Sequence, residues 1–304
     1  VVAEVPGAGK DSPGKAEALE VAYGRRRDLV VRGLEAVLPP AGVEPRRLHE
    51  AMRHAVFGGD GGKRLRPVLL LTLASDLGIA EERALPAALA LELVHCYSLV
   101  HDDLPCMDDA ATRRGVPSVH AAFGYAEAVL AGDALLTLAF EVLGRAGNSG
   151  LRRPGELVVE LARASGSLGM VGGQQVDLDR SGAAASSLPG DGHPVLRLHG
   201  LKTAALFGFA FVAPGHLADL PAPAISSLRV AGQAFGTAFQ VADDLRDESE
   251  DASQNFARAV GPDEARRVAH EAIAKCLENL RAVVGEAETS ALVRAATRAM
   301  GLDG

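Results

Sequence analysis

Residues 99–109 read LVHDDLPCMDD, and they close a stretch from Ala84 to His101 in which apolar side chains recur at three- and four-residue intervals. That spacing predicts a buried helix running straight into Asp102 and Asp103, with Asp108 and Asp109 just beyond. Carboxylates at the mouth of an apolar bundle are costly unless something positive pairs with them, and hard divalent cations take oxygen ligands of this kind. Alone, the run reads as a solvated acidic helix end. A second run, FQVADDLRD at 239–247, also ends an apolar stretch and sets Asp243 and Asp247 on one helix face at i and i+4, where like charges repel. Two such arrangements together point to a shared polyanion held through metal.

Basic groups flank both runs. GGKRLRP at 61–67 and Arg113-Arg114-Gly115 offer Lys as a point charge and Arg as a planar fork for phosphate oxygens. The glycines invite a P-loop reading, which fails because Phe57 and Arg64 stand where that motif needs Gly and Ser or Thr. Lys202 and Thr203, after His199, are a further candidate phosphate contact. GMVGGQQVD at 169–177 crowds small residues together, compatible with tight helix packing or with lining a substrate.

The rest of the 304-residue chain is consistent with packed helices. Almost half of it is hydrophobic, Trp is absent and other aromatics are few, so the core is aliphatic. Helical periodicity covers 16–38, 44–56, 64–77, 84–101, 125–145, 155–170, 195–212, 223–247 and 263–285, with two helices expected beyond Pro262. Residues 1–15 read as a flexible tail and 16–304 as one domain, with loops at 147–155 and 179–194 and no strand alternation. A net charge of −8 with scattered Lys and Arg argues against nucleic acid. Asp60, Lys63, Asp76 and Glu92 interrupt the apolar runs, so no transmembrane segment is expected. Cys96, Cys106 and Cys276 are too few for a disulfide framework, which suggests a reducing compartment.

In this order GGKRLRP, LVHDDLPCMDD with RRG after it, GMVGGQQVDL, LKTAAL and FQVADDLRD resemble the trans-isoprenyl diphosphate synthases, most closely the plant geranylgeranyl diphosphate synthase branch, over roughly 51–247. The resemblance implies an all-α, single-domain helical bundle around a deep central cavity, with the two aspartate motifs facing each other across its mouth. It implies that Asp102, Asp103, Asp108, Asp243, Asp244 and Asp247 hold Mg2+ on an allylic diphosphate. Arg113, Lys202 and Gln240 would contact that diphosphate, and Lys63, Arg66, His95 and Arg114 would bind isopentenyl diphosphate. Tyr97 and Ser98, one turn before the first aspartates, would floor the cavity and set product length, Tyr97 shortening it if it points inward.

The chain departs from the family after Asp247. A Gly-Lys loop, an Asp and a Lys are replaced by ESEDASQNFARAVG at 248–261, and no lysine lies between Lys202 and Lys275. Residues 58–60 are also extra before GGKRLRP. A missing charge-assisted contact at a catalytic site costs roughly tenfold to a thousandfold. The leading expectation is therefore a small, modifying subunit, weak alone, that pairs with a catalytic geranylgeranyl diphosphate synthase in a plastid. The alternative is an active homomeric short-chain synthase. A terpene cyclase fits less well, because the second motif is also aspartate-rich and aromatics are scarce.

Overall fold

The computed structural model describes residues 13–148, 153–179, 186–188, 193–246, 255–285 and 300. Asp247, the acidic segment 248–254, most of the 179–194 loop and the second C-terminal helix expected from the sequence lie outside the described residues. The elements are α1 (Pro13–Val37), α2 (Arg46–Phe57), α3 (Leu65–Asp76), α4 (Glu81–Asp102), β1 (Thr112–Arg113), β2 (Val116–Pro117), α5 (Val119–Phe123), α6 (Tyr125–Asn148), α7 (Pro154–Ser165), α8 (Met170–Asp177), α9 (Pro194–His199), a π turn (Gly200–Ala204), α10 (Ala205–Leu217), α11 (Ala222–Asp244), α12 (Phe256–Val260) and α13 (Pro262–Val284). The architecture is all-α.

Two helices make the centre. Over its 22 residues α4 buries Ala84, Ala87, Ala88, Leu91, Leu93 and Val94 completely, and α10 buries Phe207, Phe209 and Phe211. Helices apolar all round must be enclosed, and α3, α6, α10 and α11 provide the enclosure. Both α4 and the stretch 194–217 are long and apolar enough to cross a membrane by length and composition alone, but each is mostly buried inside the bundle, as the core helices of a packed domain are. The one charge deep in α4, Glu92, is buried against Arg64 Nη1 at 2.5 Å, the pairing that a buried charge needs.

Close helix approach depends on missing side chains. A Cβ on Gly236 of α11 would lie 2.6 Å from Ala204 Cα, and one on Gly173 of α8 would lie 2.4 Å from the Lys202 nitrogen. Gly173 thus sets α8 against the π turn and places Lys202.

Several boundaries differ from expectation. The stretch 155–170 is two elements: α7 stops at Ser165, Gly166 caps it, and α8 begins at Met170. The stretch 195–212 is interrupted by the π turn. α1 begins at Pro13, inside the segment read as tail. Two-residue strands β1 and β2 pair antiparallel where no strand was expected. Arg114 (φ 52°) and Gly115 (φ 76°) form their turn, the positive-φ pair that suits a two-residue hairpin.

Candidate active site

The first aspartate run sits at a helix end. Asp102 is the last residue of α4 and Asp103 its cap, so both carboxylates stand at the negative end of the helix dipole. The chain then folds back: Asp108 N–H donates to Asp102 O at 2.9 Å and Ala110 N–H to Asp103 O at 3.2 Å, satisfying carbonyls that the helix leaves open.

The tandem aspartates part company here. Asp102 lines a cavity of about 490 Å³, and burial, aided by Asp108 and Asp103 and opposed by Lys202 and Arg113, pushes its carboxyl up to about 6. Asp103 is buried and turned away from that cavity; Arg113 of β1 grips it, with Nε donating to Oδ1 at 3.0 Å and Nη2 to the same oxygen. Asp108 faces a smaller adjoining polar cavity together with Asp177, Lys202, Thr203 and Gln240.

The second run repeats the pattern. Asp243 lines the same large cavity as Asp102 and meets Arg246 Nη2 at 2.6 Å. Asp244 is buried and off the cavity wall, accepting from Gln240 Nε2 at 3.0 Å and from Phe256 N–H at 2.7 Å. Of the six aspartates singled out in the sequence, the structure brings Asp102 and Asp243 to one chamber, puts Asp108 beside it and turns Asp103 and Asp244 into the protein.

The basic residues divide similarly. Arg66 lies on the chamber wall with its guanidinium 4.5 Å from the centre of the Phe207 ring and 6.0 Å from that of Phe239, a stacking that suits Arg. Burial lowers its pKa to about 10, which leaves it cationic at neutral pH. His95 also lines the chamber; burial, followed by Arg66, Arg114, Arg64 and Arg113, holds it well below its usual value and therefore neutral. Lys202 pairs with Asp177. Burial works against its charge, but Asp177, Asp102 and Asp108 outweigh that and raise its pKa. Lys63, Arg113 and Arg114 are not on the chamber wall. Lys63 is exposed, with its carbonyl accepting the Tyr23 hydroxyl, and Arg114 Nη1 donates to Gly61 O at 3.2 Å. The residues extra before GGKRLRP pack here, Gly59 so close to the Arg114 carbonyl that a Cβ would stand 2.2 Å from it.

The remaining wall is largely apolar. Tyr97, Ser98, Leu99, Met107, Met170 and Leu206 contribute to it. Tyr97 points inward, edge-on to His101 with ring centres 5.8 Å apart, and burial, then Asp102, pushes its phenol up to about 12. The sequence marked 169–177 as a stretch that could line a substrate without singling out Gln174 on this wall or the Asp177 partner of Lys202, and it missed the Arg64–Glu92 pair. Gln174 and Asp177 sit three apart on α8, a helical spacing that its glycines obscured.

Among the described residues no three His, Cys, Asp or Glu side chains converge closely enough to cage a metal. The carboxylates that face the chamber from two sides do offer an all-oxygen donor set, which suits a hard divalent cation whose other ligands come from a bound anion and water.

A model of the Polyprenyl synthetase family matches residues 45–290. The chain belongs to this family. Similar polyprenyl synthetases include the heterodimeric geranylgeranyl pyrophosphate synthase large subunit 1, chloroplastic, of Arabidopsis thaliana, 39% identical over 241 residues covering 78% of this chain and 63% of that protein. Farnesyl diphosphate synthase of Bacillus subtilis (strain 168) is 38% identical over 221 residues, 72% of each. The chain therefore spans less than two thirds of the plant relative's length. Among solved structures, an FPP/GFPP synthase from Zymomonas mobilis superposes with a TM-score of 0.81 at 37% identity, covering 94% of this chain and 99% of that one. The plant relative is a large subunit of a heterodimer and the two bacterial proteins are synthases; none of the three is a small subunit.

Proposed function

We propose that this chain joins isopentenyl diphosphate to an allylic diphosphate with the help of Mg2+. One observation carries the reading: Asp102 and Asp243, from runs well over a hundred residues apart in sequence, open on one largely apolar chamber that also holds Arg66 and Lys202. Bound Mg2+ would supply concentrated positive charge on the diphosphate as it leaves.

The chain's own groups would do the rest. Asp102, Asp243, Asp108 and Asp247 hold the metal. Lys202, Thr203 and Gln240 donate to the allylic diphosphate, and Arg66 and His95 take isopentenyl diphosphate, while Arg113 braces Asp103 and the loop and hairpin carrying Lys63 and Arg114 border the site. A neutral His95 can donate a hydrogen bond without adding to the charge of the arginines beside it. The allylic carbon–oxygen bond breaks with its electron pair going to diphosphate; the terminal alkene carbon of isopentenyl diphosphate forms the new carbon–carbon bond, leaving a tertiary cation; and the carbon on the far side of that cation loses a proton to the released diphosphate, forming the new double bond. Met107, Met170 and Leu206 keep water from the cation. Tyr97 and Ser98 limit how far the growing chain reaches.

A second reading, that the chain is a modifying small subunit of a plastid heteromer, draws support from the acidic 248–251 segment and the lysine-free stretch between Lys202 and Lys275. Similarity to a chloroplastic large subunit of a heterodimeric enzyme supports its heteromer and plastid parts but not the small-subunit role. Purified alone with Mg2+, isopentenyl diphosphate and geranyl diphosphate, the chain should yield an elongated product. No product alone, together with an altered product from a catalytic homologue on mixing, would replace the first reading by the second.

A further inference from the structure

Asp244 has a different set of neighbours from Asp243. It is 3% exposed; Gln240 Nε2 donates to its Oδ1 at 3.0 Å, Phe256 N–H to its Oδ2 at 2.7 Å, and Asn255 Nδ2 to its backbone carbonyl at 3.0 Å. An ionised carboxylate only accepts hydrogen bonds, so Gln240 must present its nitrogen to Asp244. Its oxygen is thereby turned to Thr203, whose hydroxyl donates to it at 2.8 Å. Thr203 and Gln240 both line the chamber and the adjoining polar cavity. With one N–H on Asp244 and the oxygen on Thr203, the second amide N–H of Gln240 is the group left to donate to a ligand there.

We infer that Asp244 is a positioning residue: it orients Gln240 and Thr203 toward an anionic diphosphate, fastens the first turn of α12 to α11, and ligates no metal. Turning its carboxylate toward a cation would strand the buried Phe256 N–H and release the Gln240 amide, both unfavourable. The inference rests on the diphosphate reading proposed above.

Calorimetric titration of the full chain with inorganic diphosphate, at varied Mg2+, tests it. Asp244→Asn should weaken diphosphate binding about tenfold while leaving the Mg2+ half-saturation within about twofold. Gln240→Leu should have a similar effect, and the double variant should bind no worse than the weaker single, because Asp244 acts through Gln240. A Mg2+ half-saturation shifted as far by Asp244→Asn as by Asp243→Asn, or additive losses in the double variant, would overturn the inference while leaving the diphosphate reading intact. If Asp244→Asn does not fold, Thr203→Val and Gln240→Leu carry the same test: coupled losses support the chain of hydrogen bonds, and additive losses overturn it. A wild-type chain that binds no diphosphate with Mg2+ overturns the underlying reading and this one with it.

Discussion

The two aspartate runs lie far apart in sequence and end different helices, α4 and α11, yet each splits its tandem pair in the same way. Asp102 and Asp243 face the chamber; Asp103 and Asp244 turn inward, the first to Arg113 of the β1–β2 hairpin and the second to the start of α12. Consecutive helical residues point about 100° apart, so adjacent carboxylates cannot share a target without distortion. Helix geometry thus imposes a division of labour, with the first aspartate of each pair reaching for the ligand and the second bracing the segment that comes after it.

The largest effects should fall on the chamber-facing pair. Asp102→Asn and Asp243→Asn should each lower turnover by about a thousandfold, and the double variant should be little worse than either, because both serve one anion. Steady-state kinetics would break the comparison if one substitution were tolerated while the other abolished activity.

The bracing pair should show itself in stability. Asp103→Leu removes a buried carboxylate from a half-exposed arginine and should cost about 2 kcal/mol in chemical denaturation, less than for a fully buried pair. Asp102 predicts the reverse sign. Its carboxyl holds a proton up to about pH 6, against 3.8 ordinarily, chiefly because it is buried. The folded chain therefore binds the proton more tightly than the unfolded one; that contribution to stability is full below about pH 4 and is lost as pH rises through about 6. Asp102→Asn should thus stabilise the metal-free protein at pH 7.5 by on the order of 2 kcal/mol and gain little at pH 4. Melting curves at the two pH values check it, and destabilisation at pH 7.5 would show that Asp102 is a brace as well.

Smallest is the effect at the chamber floor. Tyr97→Ala should change turnover only modestly but lengthen the product by at least one five-carbon unit, read by chromatography of the dephosphorylated alcohols. An unchanged product would return Tyr97 to the role of core packing.

Much of this is legible in the sequence because helical periodicity is strong where a helix is long and apolar: the pattern marks α4 and α11 to within a few residues of their ends. Elements shaped by contacts rather than periodicity are not. α8 is eight residues long with two glycines, one of which exists for its contact with Lys202, and the π turn carries no pattern of its own. The division within each aspartate pair is deducible from helix geometry, but which member faces inward depends on Arg113 and on Phe256, residues ten or more positions away whose approach is a tertiary fact. Motif alone places Lys63 and Arg114 at the site, and the loop and hairpin that carry them hold both off the chamber wall.

Anomalous diffraction from crystals grown with Mn2+ and inorganic diphosphate tests the division of labour most directly. Manganese should lie within coordination distance, roughly 2.2 Å, of Asp102 and of Asp243 with diphosphate between them, while Asp103 stays on Arg113 and Asp244 on the Phe256 N–H. Metal bound by Asp103 or Asp244 in their place, or confined to one run, would contradict it.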